Sequence, residues 1–147
     1  MTSYEKSNSI TSVSLNKFRK AEYERLLGCG DDETERQCAS QKLLDYLCEK
    51  FGMPSVRVSV STQKQTYKTT RRGGVTTHGY YKPSSRSINI YNHTAKIGKA
   101  VAIKRFTETL LHEFMHHYDH CYLNIADSPH TTGFYKRISD LEQKLRS

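Results

Sequence analysis

Apolar residues recur at helical spacing between residues 99 and 122, and this segment is the most clearly predicted element of the chain. On a helical wheel at ~100° per residue, one broad arc carries the apolar side chains Ile103, Phe106, Leu110, Leu111, Phe114, Met115 and Tyr118. The opposite side carries Arg105, Thr109, His112, His116 and Asp119. We therefore expect one face of this helix to be buried and the histidine face to border a cleft.

Three further segments have the spacing of amphipathic helices. The first runs from about Leu15 to Leu27, and the second from about Asp31 to Phe51, where Gly52 and Pro54 stop it. The last closes the chain with an apolar stripe formed by Phe134, Ile138, Leu141 and Leu145. Residues 1–13 are rich in Ser, Thr and Asn, so we expect a flexible arm there and a single domain over residues 14–147.

Alternating apolar and polar residues predict short strands in the middle of the chain. The segments are 56–61, 78–81 and 87–91, with a Pro83-Ser84-Ser85 turn before the last. Residues 62–77 are rich in Thr, Lys and Gly, and Arg71-Arg72-Gly73-Gly74 is the expected turn tip. The pattern predicts an α+β fold in which a small antiparallel three-stranded sheet packs on the helix of residues 99–122, with further helices at both ends.

The sequence His112-Glu113-x-x-His116 lies within the best-predicted helix. Histidines four residues apart project from the same helical face, about one turn from each other, so both imidazoles can reach one metal ion. Glu113 points roughly 100° away, which suits a general base beside the ion. Two histidines with such a glutamate form a zinc-binding pattern of metallopeptidases. The alternative is that both are surface or core histidines that match the pattern by accident.

A catalytic zinc ion needs a third protein ligand. His120 is excluded because it lies about two turns (~12 Å) along the helix from His112. The candidates are His78, His93, His117, Asp119 and His130, and His130 is best placed because a turn before the final helix can fold it over the cleft. We interpret Asp119 as a group that orients an imidazole; its alternative is a solvated helix charge.

The composition excludes several classes of protein. No apolar run approaches the ~18 residues of a membrane span, and the first residues lack the apolar region of a signal peptide. We therefore expect a cytoplasmic, intracellular protein with no membrane partner, and we expect a monomer. The four cysteines form no Cys-x-x-Cys pair, which argues against a zinc ribbon and a thioredoxin-type site.

The net charge of +8 is concentrated in one part of the chain. Residues 51–107 contain eleven Lys or Arg and no Asp or Glu. A surface of one sign attracts nucleic acid or acidic proteins, so DNA is a candidate partner of this segment. The alternative is a solvated basic face without a partner. Tyrosines there could stack on bases, and the candidate nucleic-acid-binding residues are Arg71, Arg72, Lys82 and Arg86.

These motifs together resemble the SprT-like (Spartan-related) family of zinc metallopeptidases, over roughly residues 34–145. The resemblance rests on residues 47–54, on a hairpin with Gly79-Tyr80-Tyr81 and Ile88-Asn89-Ile90, on residues 110–117, and on His130-Thr131-Thr132-Gly133-Phe134. It implies a compact, minimal zincin-like domain and carries the third ligand over to His130. The chain departs from some members of that family in lacking a cysteine zinc ribbon, so DNA recruitment by that route is unsupported.

The function expected from the residues and the resemblance is that of a zinc metalloendopeptidase. One zinc ion per chain would be held by His112, His116 and His130, with Glu113 as general base and a protein or peptide as substrate. Candidates for stabilising the oxyanion or binding substrate are His78, Tyr80, Tyr81 and His117, and an edge strand near Ser87–Tyr91 could pair with an extended substrate. The alternative is a basic nucleic-acid-binding module with a structural or vestigial zinc site, or a DNA-associated protease.

Overall fold

Helices and strands segregate along the chain in the computed structural model, which describes residues 1–96 and 98–147. The elements of the described residues, in order, are α1 (Ser3–Ser9), α2 (Ala21–Leu27), α3 (Glu33–Phe51), β1 (Arg57–Lys64), β2 (Thr66–Thr70), β3 (Gly73–Thr77), β4 (Gly79–Lys82), β5 (Ser87–His93), α4 (Ile103–Cys121) and α5 (Thr132–Arg146). This arrangement confirms the predicted α+β class.

The ends of the long helices follow from local chemistry. The Asp32 carboxylate accepts a hydrogen bond from the Glu35 N–H and caps the start of α3. Gly52 ends α3 with a φ of 69°, a left-handed conformation that suits glycine. The Thr131 hydroxyl caps α5 in the same way as Asp32 caps α3, by accepting from the Phe134 N–H. No helix in the described part of the chain is both long and apolar enough to cross a membrane.

The main sheet has the strand order β1-β5-β4, and β2 and β3 form a separate antiparallel hairpin. A tight turn joins β4 to β5, which makes this pair antiparallel. β1 and β5 are parallel, so the expected antiparallel pairing holds in this sheet only for β4 and β5, the two strands that a turn joins. The physical reason is that β5 inserts between β4 and β1, in a register that pairs Val58 with Ile88 and Val60 with Ile90 and buries all four side chains.

The two outer strands of this sheet differ in how their edges are covered. Gln41 and Gln37 of α3 accept hydrogen bonds from the Val58 and Val60 N–H groups, at 2.9 and 3.0 Å. The Gln41 amide also donates to the Val56 carbonyl at 2.8 Å. Helix side chains therefore occupy the outer edge of β1. β5, which was expected to present an edge near Ser87–Tyr91, is instead the central strand, and the edge strand opposite β1 is β4.

Helix α4 is oriented as its wheel predicts. The apolar arc is buried at Phe106, Leu110, Leu111, Phe114, Met115 and Tyr118, and Ile103 is half-buried. On the opposite side, His112 and His116 are partly exposed. Asp119 is the exception on that side because it is fully buried. α4 thus separates the core from a cleft that its histidine face borders.

The beginning of the chain differs most from expectation. Residues 3–9, placed in a flexible arm, form helix α1, and the side chain of Ser7 is fully buried. The predicted helix from Leu15 is regular only from Ala21 to Leu27. Ahead of it, Phe18 packs on Phe51 with ring centroids 5.6 Å apart. The Ser- and Asn-rich composition that predicts disorder here is offset by specific contacts with distant segments.

Replacing Gly79 with alanine should destabilise the sheet. A Cβ at this position would lie 2.6 Å from the backbone oxygen of Asn89 on β5, and a backbone atom cannot move aside cheaply. We expect the free energy of unfolding to fall by about 1–3 kcal/mol, as for other overpacked sites, in urea denaturation. Gly30→Ala is the matched control because a Cβ there meets nothing within 4 Å. Equal effects of the two substitutions would contradict this account.

Candidate metal centre

Three histidines converge at the cleft face of α4. His112 and His116 lie one turn apart on α4, and His130 belongs to the loop that precedes α5. One ring nitrogen from each lies within 4.8 Å of the others. The Nε2 atoms of His116 and His130 are 3.0 Å apart. Two nitrogens bound to one tetrahedral zinc ion at ~2.0–2.1 Å are separated by roughly 3.3 Å, so the donor set fits zinc.

The environment keeps the two helix histidines neutral. Burial, followed by the proximity of His130 and His78, lowers the pKa of His112 to about 4. Burial, followed by its histidine neighbours, lowers the pKa of His116 to about 3. A neutral imidazole offers a lone pair to a metal ion, whereas a protonated one does not. Both side chains are therefore ready to act as ligands at neutral pH.

A chain of hydrogen bonds fixes the orientation of the His116 ring. Its Nδ1 lies 2.8 Å from the Ser128 hydroxyl, which donates to Oδ2 of Asp119 at 2.6 Å. Because the serine proton is committed to the carboxylate, its oxygen accepts the proton on Nδ1 of His116. The Nε2 atom then carries the free lone pair and points to His130. Asp119 orients this imidazole through Ser128, without touching it directly.

Aromatic packing holds the rings from behind. The fully buried Phe134 ring stacks on His116, with centroids 4.7 Å apart and an angle of 30° between the planes. The same ring meets His112 edge-on at 5.1 Å and His130 at 5.3 Å. Phe134 lies in the first turn of α5, directly after the loop that carries His130. One side chain therefore contacts all three imidazoles.

Glu113 lies beside the histidine cluster and borders the cleft. Its side chain is nearly buried, and its Oε2 is 3.9 Å from Nε2 of His112. Burial raises the pKa of Glu113 to about 7. A carboxyl group that titrates close to neutral pH can both accept and return a proton under physiological conditions. The position and the pKa suit the general base expected from the motif.

The cleft has a volume of about 640 Å³. One wall is α4, which contributes His112, Glu113 and His116, and the opposite wall is formed by β4 with the adjoining end of β3. Thr76 and Thr77 of β3 are among the lining residues. Residues 66–77 form the hairpin of β2 and β3, and the end of β3 borders the cleft.

Three of the four other candidates for the third ligand are engaged elsewhere. His93 contacts Glu33 at 2.9 Å and the Gly98 carbonyl at 3.0 Å. His117 is fully buried, and its Nε2 donates to the Pro54 carbonyl at 2.8 Å. Asp119 is paired with Arg137, at 2.9 Å. His78 lines the cleft but is not one of the three clustered histidines.

The candidates for oxyanion stabilisation separate into two groups. The Tyr81 hydroxyl lies 2.8 Å from Nδ1 of His117, which must accept because the other ring nitrogen donates to Pro54. His117 therefore has no proton left to donate to an oxyanion. The Tyr81 hydroxyl donates its proton to Nδ1 of His117. His78, Tyr80 and Tyr81 all line the cleft. Because the Tyr81 proton is directed to His117, His78 and Tyr80 remain the candidates for stabilising the oxyanion.

The four candidate nucleic-acid-binding residues are all exposed but lie in two places. Arg71 and Arg72 form the tip of the β2–β3 hairpin, and Lys82 and Arg86 flank the turn between β4 and β5. Almost every residue of β2 and β3 is exposed, including Tyr67 and Val75. The basic segment therefore presents an exposed hairpin and an exposed turn to solvent.

Sequence reasoning missed three residues of the centre, namely Ser128, Phe134 in its contact with the imidazoles, and Arg137. Arg137 is fully buried and donates to both carboxylate oxygens of Asp119. A signal for it exists, since Arg137 lies three residues after Phe134, on the apolar stripe of α5. A charged residue at such a position indicates a buried partner. Ser128 has no comparable signal, because its place depends on the conformation of the loop.

Comparison with known proteins corrects one expectation. A family model described as ":-like" matches residues 68–146, more than half of the chain. It is not the SprT-like family, so the resemblance inferred from the motifs is wrong. No curated protein and no solved structure matches the chain. The zincin-like description of the domain therefore has no support from relatives, and His130 is placed at the centre by geometry alone.

Arg137→Leu should strongly destabilise the protein. The substitution leaves the Asp119 carboxylate buried without its charge partner, and breaking such a pair costs about 3–5 kcal/mol. Urea denaturation of the metal-free protein measures the loss. Arg146→Leu, on the same helix, is the matched control because its ion pair with Glu142 is solvent-exposed. An Arg137→Leu protein as stable as the control variant would show that the buried pair does not stabilise the fold.

Proposed function

Because the chain belongs to the ":-like" family, and this description names no activity, we propose a function from the geometry of the site. The proposed function is that of a zinc-dependent endopeptidase. One observation carries it: a nearly buried glutamate borders the same cleft as three convergent histidines. A purely structural zinc site has no need of Glu113.

The metal would be held by the Nε2 atoms of His116 and His130 together with His112. A bound zinc ion supplies Lewis-acid chemistry, polarising a carbonyl group and lowering the pKa of a water molecule. Three protein ligands leave one coordination position for that chemistry, as in other catalytic zinc sites. Ser128 and Asp119 hold the His116 ring in the tautomer that presents its lone pair.

Glu113 performs the proton transfers in this proposal. Its carboxylate takes a proton from the attacking water and later returns it to the amine that leaves. A carboxyl pKa near 7 is suited to both steps, and burial is what raises it. The cleft position of Glu113 gives this group access to substrate. His78 and Tyr80, from the opposite wall, are the proposed contacts to the scissile carbonyl.

An extended peptide would bind along β4. The His78 carbonyl accepts from the Tyr91 N–H at 3.1 Å, so residues alternating with His78 bond to β5. The backbone groups of Gly79 and Tyr81 then point away from β5. The other edge of the sheet is covered by Gln37 and Gln41, which leaves β4 as the strand for a substrate to extend. Such pairing gives backbone affinity with little sequence selectivity.

Glu113→Gln tests this proposal. The variant should bind zinc like the wild type, while hydrolysis of an unfolded protein such as casein falls by at least ~10²-fold, because the proton acceptor is lost. Both quantities can be measured on one preparation, by elemental analysis and by release of peptides.

Glu108→Gln is the matched control, since Glu108 is another acidic residue of α4 that lines the cleft. It should retain most of the activity. Hydrolysis by Glu113→Gln at a rate near that of the wild type, or an equal loss in both variants, would contradict the role given to Glu113. Chelation of the metal should abolish the activity of the wild type.

A second candidate function is nucleic-acid binding, alone or combined with proteolysis. The observation that favours it is the exposure of Arg71 and Arg72 at the tip of a hairpin, in a segment with no acidic residue. Exposed Tyr67 on the same hairpin could stack on a base. If this function is separate from the metal, binding should survive chelation.

The double variant Arg71→Ala/Arg72→Ala should bind single- or double-stranded DNA more weakly than the wild type. Loss of two phosphate contacts should reduce the slope of log affinity against log salt by about 1.4–1.8, measured by fluorescence anisotropy across a salt series. Lys17→Ala/Lys20→Ala is the control, because those residues are exposed but lie outside the basic segment. Equal effects of the two double variants, or no binding by the wild type, would refute a specific role of the hairpin.

A further inference from the structure

Helix α1 docks on the segment that carries the third histidine. Gly133, three residues after His130, has no room for a Cβ because the Ser7 backbone oxygen lies 2.4 Å from the position it would take. The Gly133 N–H donates to the Asn8 side-chain oxygen at 3.2 Å. Lys6 donates to the Leu123 carbonyl, in the turn after α4. Helix α1 thus contacts the chain at both ends of the loop between α4 and α5, at Leu123 and at Gly133.

Arg137 connects α1 to Asp119, which orients His116 through Ser128. Its Nη1 donates to the backbone oxygens of Ser7 and Ile10, at 2.5 and 2.6 Å. Its Nη2 donates to the Ser7 hydroxyl at 3.1 Å and to both oxygens of Asp119 at 3.0 and 2.9 Å. Ser7, Asp119 and Arg137 are each fully buried. The guanidinium group therefore takes its acceptors from α1 and from α4 at the same time.

Two chains of contacts lead from this point to the histidines. The first passes from Asp119 through Ser128 to Nδ1 of His116. The second passes from the Ser7 hydroxyl to the Thr131 hydroxyl, 2.9 Å away, and Thr131 is the residue after His130. Ser7 is linked to both chains of contacts, to the first through Arg137 and Asp119 and to the second through Thr131.

We propose that Ser7 is a positioning residue for the metal centre, and that the docking of α1 sets the zinc affinity of a site whose ligands all lie more than 100 residues away. The proposal deepens the function proposed above and rests on it, because it assumes that His112, His116 and His130 bind zinc. Removing the Ser7 hydroxyl would leave the fold of α4 intact and loosen the placement of His116 and His130 together.

Thermodynamic linkage allows a test on the unaltered protein. If docked α1 favours zinc binding, zinc must favour docked α1 by the same factor. We expect zinc to slow amide hydrogen exchange in α1 as well as in the loop of residues 128–134, relative to the metal-free protein. If zinc slows exchange in the loop but leaves exchange in α1 unchanged, the proposal for α1 is wrong. The same result would still support zinc binding at the three histidines.

Ser7→Ala and Ser9→Ala form a matched pair for the second test. Both serines belong to α1, but Ser9 is exposed and its hydroxyl donates to the nearby Lys6 carbonyl. Removing outer-shell partners of metal ligands typically weakens metal binding 10–100-fold. For Ser7→Ala we expect a loss of about tenfold, near the lower end of that range, in a competition titration with a chelating dye. Ser9→Ala should remain within about twofold of the wild type.

The geometry of the metal site can be measured separately from the stability of the protein. Cobalt(II) in place of zinc should give visible absorption bands whose intensity reports tetrahedral coordination, and Ser7→Ala should change these bands at a temperature where the metal-free variant is fully folded. Unchanged bands and unchanged affinity in a folded Ser7→Ala protein would overturn the proposal. If the wild type binds neither zinc nor cobalt, both this proposal and the proposed function fail.

Discussion

The buried ion pair between Arg137 and Asp119 is the interaction on which the arrangement of the helices around the site depends. Neither side chain has any contact with solvent. A guanidinium group and a carboxylate can be buried together only when hydrogen bonds satisfy them. The two terminal nitrogens of Arg137 donate to acceptors from α1 and α4, although its Nε has no partner among the described residues. Asp119 receives donors from Arg137 and Ser128. The need to satisfy two charges therefore fixes three helices and one loop relative to one another.

A second buried arginine has the same function at the other end of α4. Arg36 of α3 donates to the Asn92 side chain on β5 and to the Val101 carbonyl just before α4, at 2.8 and 2.6 Å. Burial lowers the pKa of Arg36, yet backbone and amide oxygens supply the acceptors it needs. The apolar arc of α4 is held by the core between these two points. The histidine face is consequently presented to the cleft as a fixed surface.

Sequence could predict the features of the site that depend on local periodicity. The spacing of His112, Glu113 and His116 places them on the cleft side of α4 because a helix repeats every 3.6 residues. His130 could be named as the best candidate for the third ligand, but its position could not be predicted. That position depends on a turn whose path is set by Ser7, Asn8 and Arg137, which come from distant parts of the chain. For the same reason Ser128 could not be found, and α1 was mistaken for a loose arm.

Two other expectations were wrong because a local sequence pattern was used to infer the order of the strands and the family of the chain. Alternating strands were predicted near their observed places, but alternation says nothing about order, so the parallel β1–β5 pair and the central position of β5 were missed. Short motifs suggested a family that the matching family model does not support. A two-histidine motif reports the chemistry a helix face can perform, and it is shared among unrelated chains.

We propose that three histidines from two segments bind one catalytic zinc ion. Elemental analysis of the purified protein, beside His130→Ala and His93→Ala variants, tests it most directly. The account predicts about one zinc per chain in the wild type and in His93→Ala, and none retained by His130→Ala after dialysis. A folded wild-type protein that binds no zinc when it is supplied, or a His130→Ala variant that retains a full equivalent, would contradict it.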